Sequence, residues 1–123
     1  MQLSELYRRS AVVPLDASAL NQLRDEAVDE STAVRIAALQ SQEDFDWLCD
    51  VKFLEKINQA TGTLLDDYET DEVPASYAGA IQEIAQELLA HDVAPQGVLR
   101  FLRSLIGICQ NAKDNQLPIV FVL

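Results

Sequence analysis

The residues of this chain that could do chemistry are mostly carboxylates, and they are unevenly spaced. The 123 residues include 20 Asp and Glu against nine Lys and Arg, which gives a net charge of −11. Because like charges repel and oppose compaction, a run of acids without bases predicts a docking surface for a basic partner. An ordinary solvated acidic surface is the equal alternative. No base occurs between Lys56 and Arg100, but eight acids do: Asp66, Asp67, Glu69, Asp71, Glu72, Glu83, Glu87 and Asp92.

The densest part of this run is residues 61–74, which read as an acidic loop with at most a turn of helix. Tyr68 lies within it and Tyr77 follows it. Loop tyrosines pair an apolar ring with a polar tip, so both are candidates for exposed anchors. The partner-binding residues predicted here are Asp66, Asp67, Tyr68, Glu69, Asp71 and Glu72.

A second acidic group consists of Glu43, Asp46 and Asp50, whose spacings of three and four place them on one stripe of a helix. Trp47 and Phe53 flank this stripe. Aromatic side chains beside carboxylates are typical of protein interfaces. The alternative, which we favour, is that the two aromatic residues belong to the core and border a narrow exposed strip. The three acids are predicted as a second docking patch.

Metal binding is geometrically conceivable but not expected. Glu83, Glu87 and His91 share a helix face at four-residue spacing. The helical wheel directs both glutamates away from Ile84 and Leu88, towards solvent. The acidic loop also lacks the glycine and glutamate spacing of an EF-hand. We predict no metal site and no cofactor.

The sequence predicts no enzyme. The one histidine lies at a predicted helix end, and a cysteine nucleophile would need it beside Cys49 or Cys109. Both cysteines lie in apolar surroundings, and we read both as buried thiols. The chain has neither a glycine-rich phosphate loop nor a Gly-x-Ser-x-Gly motif.

The negative net charge also argues against two classes of partner, nucleic acids and anionic membranes. Nucleic acids and anionic membranes attract clustered Lys and Arg, and an acidic field repels them. The longest apolar runs reach five residues, against the roughly 20 that span a bilayer. The first nine residues carry charges with no apolar stretch behind them, so no signal peptide is predicted. A cytoplasmic protein is the expectation.

The elements that would position these residues are predicted to be mainly helices. We expect one domain over 1–123, a bundle of five to six helices. Asp16 or Ser18 caps a helix that breaks near residues 29–32 and resumes through Val34 and Ala38. A short helix is predicted over residues 3–9, and a central helix over residues 42–60 is capped by Ser41 and ended by Gly62. Another helix runs from Ala75 to about Asp92. The last begins at Pro95, and its apolar arc is Val98, Phe101, Leu102, Leu105, Ile106 and Cys109.

An extended segment is predicted at residues 118–123, because Ile119 to Leu123 are apolar and too few for a stable helix. A lone strand needs a partner for its backbone groups. That partner is residues 11–15, read as a loop or an edge strand, or a second copy of the chain, or a ligand. A homodimer through this strand therefore remains open.

These features favour a small acidic binding protein that neutralises or occludes a basic partner, as an immunity protein or an inhibitor of a toxin or nuclease. In size and composition the chain resembles small acidic bacterial immunity proteins, although no residue motif carries the resemblance. The alternative is a structural or adaptor protein that self-associates through the C-terminal strand.

Overall fold

The computed structural model describes residues 2–90 and 93–123, and it has an α+β fold, so the predicted helical bundle is wrong. Six α-helices and four strands lie in the described residues. The helices are α1 Leu3–Leu6, α2 Ala17–Arg24, α3 Gln42–Asp50, α4 Phe53–Thr61, α5 Ala78–Ala90 and α6 Gln96–Asn115. The strands are β1 Ser10–Pro14, β2 Val34–Ala38, β3 Thr70–Val73 and β4 Ile119–Val122, and a 3₁₀ turn at Ala75–Tyr77 precedes α5.

The four strands form one antiparallel sheet in the order β2-β1-β4-β3. The predicted C-terminal strand is therefore confirmed, and its partner is the first of the three alternatives. Ala11 pairs with Phe121, and Asp71 pairs with Phe121 from the other side. Because β4 is central, both of its edges are used within the chain. Residues 10–14 form a central strand as well, neither a loop nor an edge.

The helices divide between the two faces of the sheet. On one face, Ala11, Val13 and Phe121 pack in a core with buried residues of α3, α4, α5 and α6. At its centre Phe53 meets Phe101 edge to face, with ring centroids 6.1 Å apart. On the other face, Val12, Val120 and Val122 pack against residues of α1 and α2. Alternation along each strand thus supplies two cores.

Two helix predictions fail for physical reasons. Val34 and Ala38 lie four positions apart, a spacing that places them on one face of a helix and equally on one face of a strand. Residues 34–38 form a strand because they pair with β1. The predicted central helix over residues 42–60 is two helices, because Lys52 adopts a left-handed conformation with φ 61° and interrupts it.

The residues that begin or end three of the helices were predicted correctly. The Asp16 carboxylate accepts a hydrogen bond from the Ala19 backbone N at 2.7 Å, and the Ser41 hydroxyl accepts one from the Asp44 backbone N at 3.2 Å. Gly62 ends α4 with φ 72°. Along α6 the predicted arc is buried apart from half-buried Ile106, and Arg100, Arg103 and Gln110 are exposed.

Within the described residues, no helix is both long enough and apolar enough to cross a membrane.

Candidate functional site

Exposure divides the six residues predicted in the acidic loop. Asp66, Tyr68 and Glu69 are exposed, whereas Asp67, Asp71 and Glu72 are half-buried. The loop is also shorter than predicted, since its last residues Thr70–Val73 form β3. Pairing with β4 brings these charged residues into the sheet, although they lack the apolar alternation typical of a strand.

Arg9 joins this loop to the second predicted patch. It lies in the turn before β1 with φ 61° and is buried. Its Nη1 forms an ion pair with Asp67 and donates to the Leu123 main-chain oxygen at 3.2 Å. Its Nη2 donates to Gln42 Oε1, at the start of α3, at 3.3 Å. One guanidinium thus holds the acidic loop, α3 and the last strand together.

The three acids of the second patch, Glu43, Asp46 and Asp50, are exposed on α3. Trp47 is half-buried and Phe53 is buried, which supports the favoured interpretation that both belong to the core. We use the name acidic surface for the exposed residues that Arg9 brings together. They are Glu43, Asp46, Asp50, Asp66, Tyr68 and Glu69.

Glu72 and Asp71 lie apart from this surface. Glu72 forms a bidentate ion pair with Arg24 of α2, with N–O distances of 2.9 and 2.8 Å. Both acids line a cleft of about 430 Å³ between α2 and β3. Glu72 pairs with Val120 and so lies on the sheet face of α2, whereas Asp71 pairs with Phe121, whose side chain lies on the other face. Asp71 Oδ1 accepts a hydrogen bond from the Glu72 backbone N at 2.9 Å. The predicted patch is therefore divided between two sides of the molecule.

Sequence reasoning missed Leu64, which lies in the same loop and is 81% exposed. Tyr68 is 74% exposed, with the Arg8 guanidinium carbon 4.8 Å from its ring centroid. Tyr77 is exposed less, at 39%. A leucine and a tyrosine at the tip of a charged loop give the acidic surface two apolar anchors. The sequence did contain a signal for this exposure, because Leu64 is an apolar residue in a segment predicted to be a charged loop.

Cys49 reports on the charge of this surface. The prediction that it is buried is wrong, because it is exposed, whereas Cys109 is buried as predicted. The thiol of Cys49 is nevertheless partly shielded from solvent, and this desolvation raises its pKa. The carboxylates of Glu55, Asp46 and Asp67 raise the pKa further. Burial raises the pKa of Cys109 to about 12. Arg9 lowers the pKa of Cys49 and Lys113 lowers that of Cys109, but the effects that raise each pKa are larger, which is the opposite of a reactive cysteine.

A buried acid at the edge of this region was also missed. Asp44 is buried in α3, and its carboxylate faces Gly97 at the start of α6. A carboxylate is stabilised at a helix N-terminus, where backbone N–H groups and the helix dipole present positive charge. No signal in the sequence distinguished it from the exposed acids of the same helix.

The candidate metal ligands do not form a described site. Glu83 and Glu87 are exposed on α5 as predicted, and His91 lies outside the described residues. In the described parts of the chain, no cluster of three His, Cys, Asp or Glu side chains could hold a metal ion.

Comparison with protein-family models, curated proteins and solved structures found no match to this chain. The geometry of the surface must therefore carry any functional argument.

Proposed function

We propose that this chain is a non-enzymatic binding protein whose acidic surface docks on a basic protein partner. The observation that carries the proposal is the convergence of two acidic groups, distant in sequence, on either side of Arg9. Asp67 meets Arg9 across 58 positions of the chain.

The chemistry of the surface suits a partner with a cationic groove. Exposed carboxylates attract and orient a basic protein at long range, and Leu64 and Tyr68 supply side chains that can be desolvated on contact. Toxins and nucleases that act on nucleic acid have such grooves, because they must hold phosphates. The proposal in its specific form is an immunity protein or inhibitor that occludes such a groove in the cytoplasm.

The test needs a defined partner, and a gene next to the one for this chain is the first place to find it. The basic toxin or nuclease domain encoded there would be co-expressed with the chain and also purified for association kinetics. We expect this chain to protect cells and to bind the domain in a salt-dependent way. Failure to protect or bind, or the absence of such a neighbour, would contradict the immunity role.

A charge-matched pair of variants locates the surface. The site variant is Asp46→Asn, Asp50→Asn, Asp66→Asn and Glu69→Gln, and the control is Asp25→Asn, Glu83→Gln, Glu87→Gln and Asp114→Asn, all at exposed positions. Both remove four charges. The site variant should slow association about 10- to 100-fold at low salt, and the control should slow it only a few-fold. Equal slowing would show that net charge acts without a site.

The alternative of self-association through residues 118–123 gains no support from the sheet. Both edges of β4 are paired within the chain. We therefore do not propose it as a second function.

A further inference from the structure

Two stretches of the chain are free of acids, and the fold places them side by side. Residues 31–42 and 93–113 contain no Asp or Glu, in a chain where every sixth residue on average is acidic. The first stretch contains β2 and the second contains most of α6, and these two elements pack against each other. Arg35, Arg100, Arg103 and Lys113, four of the nine bases, belong to them. The acid-poor side of the molecule is therefore the β2 edge of the sheet.

The backbone of β2 is open along this edge. Leu39 N donates to Arg9 O and Leu15 N donates to Ala33 O, both at 2.9 Å. Because bonding alternates along an antiparallel pair, odd-numbered residues of β2 bond to β1. Val34, Ile36 and Ala38 direct their N–H and C=O groups outward, where no described residue bonds to them. Such an edge is a template for another strand.

A groove of about 460 Å³ runs along this edge, with α6 as its second wall. Of the residues around it, Ile36, Arg100 and Ser104 are exposed, and Phe101 is buried. The residues that line it are Ile36, Ala38, Gln40, Gly97, Arg100, Phe101 and Ser104. An open strand edge beside a helix is the geometry in which domains bind extended peptides by strand addition.

The positive charge beside the groove favours an acidic ligand. Arg100, Ser104, Gly107 and Asn111 follow one another on one face of α6. Arg35 reaches back to this face, where its Nη1 donates to Asn111 Oδ1 at 2.6 Å. Gly107 leaves room for it, because a Cβ there would lie 3.1 Å from Nη2. In the described residues neither Arg35 nor Arg100 forms an ion pair. Asp44 is buried against Gly97 at one end of the groove, and Asp114 follows Asn111 at the far end of the same face of α6, where Gln110 donates to it at 3.0 Å.

We propose that this groove binds an extended acidic segment of a partner protein, which adds to β2 as a fifth strand. A second copy fits less well. Two β2 edges paired about a two-fold axis would bring like-charged Arg35 and Arg100 side chains of both copies together. The β3 edge is a poor donor, because the outward N–H of Glu72 is already bonded to Asp71. This proposal is independent of the acidic surface, since it uses none of its residues.

The experiment titrates the full ¹⁵N-labelled chain with a nine-residue blocked peptide in which valine and glutamate alternate, and with the same peptide carrying lysine for glutamate. We expect the acidic peptide to shift the amides of β2 and of residues 97–104, with binding that weakens as salt rises. Ile36→Pro removes an outward N–H and leaves the bonds to β1 in place, so it should abolish binding.

The charge control is a matched pair on α6. Arg100→Glu lies in the groove and Arg103→Glu lies outside it, and both residues are exposed. Arg100→Glu should weaken peptide binding about tenfold or more, and Arg103→Glu about twofold or less. Equal binding of the lysine peptide, equal loss in both variants, or no amide shifts at millimolar peptide would overturn the proposal. Concentration-dependent shifts of β2 amides without peptide would assign the edge to a second copy instead.

Discussion

The acidic surface and the β2 groove present opposite chemistry and are built in opposite ways. The acidic surface consists of side chains on a loop and a two-turn helix, and one buried arginine holds those elements together. The groove consists of an open backbone edge and the longest helix, in stretches free of acids. A net charge of −11 therefore conceals a segregation that gives the chain two chemically distinct surfaces.

The two regions also differ in what supports them. α6 contributes eight buried residues and packs on β1, β2 and α5, so the groove rests on the core. The loop over residues 62–69 has one buried residue, Leu65. Asn58 donates to the Leu65 carbonyl oxygen and accepts from the Leu65 backbone N, and Arg9 holds Asp67. Regions with few buried contacts open at low free-energy cost. We expect the acidic surface to be the more easily deformed region.

The largest effect is expected from Arg9→Ala. It removes the ion pair with Asp67, two further hydrogen bonds and the stacking on Phe45, whose ring centroid lies 3.7 Å from the guanidinium carbon. The Arg9 Nε is buried without a partner in the described chain, which limits the loss. Unfolding in urea should show a destabilisation of about 2 to 3 kcal/mol.

The control for this variant is Arg8→Ala, because Arg8 is exposed and contacts Tyr68 alone of the aromatic rings. It should change stability by less than about 0.5 kcal/mol. Hydrogen exchange in Arg9→Ala should quicken at residues 62–69 well before it does in α6. An equal increase in the hydrogen-exchange rates of residues 62–69 and α6 would contradict the difference in support between the two regions.

A smaller effect is expected from Gly97→Ala, at the place where the two regions meet. A Cβ there would lie within contact distance of the Asp44 carboxylate. Asp44 is buried and cannot swing freely into solvent, so we expect a destabilisation of about 1 to 3 kcal/mol. Gly79→Ala in α5 is the matched control, because its Cβ would meet no atom within 4 Å. It should be stabilising by about 0.5 to 1 kcal/mol. Equal thermal shifts would show that the Asp44 contact carries no energy.

The smallest expected effect measures the field of the acidic surface at Cys49. Desolvation raises the pKa of this thiol and nearby carboxylates raise it further, so less thiolate is present at any given pH. Replacing Asp46 and Glu55 with Asn and Gln lowers that pKa, and alkylation by iodoacetamide between pH 7 and 9 should speed up about two- to threefold. Added salt should shrink the difference. Buried Cys109 is the internal control, and labelling rates that do not change with charge would contradict this electrostatic account.

Local signals in the sequence predicted the helix ends at Asp16, Ser41 and Gly62 and the start and apolar arc of α6. They failed for β2 and β3, because the pairing of a short strand depends on distant partners. The residues Thr70–Val73 are two charged residues between Thr and Val, and only β4 makes them a strand. In the site, the exposure of the acids followed from their charge and that of Tyr68 from its place in the loop. The partners of Asp67 and Glu72 could not be predicted, since Arg9 and Arg24 lie 58 and 48 positions away.

The central place of β4 has a consequence for how fast the molecule assembles. Arg9 and Leu123 are bonded across 114 positions, and β1 and β4 pair beside them. Closing so long a loop costs entropy before the strands gain their contacts, so chains with many distant pairings cross their barrier slowly. α6 depends on local contacts and can form early, whereas the sheet needs residues from both halves of the sequence at once. Refolding should therefore be governed by a single late event, the arrival of β4 between β1 and β3.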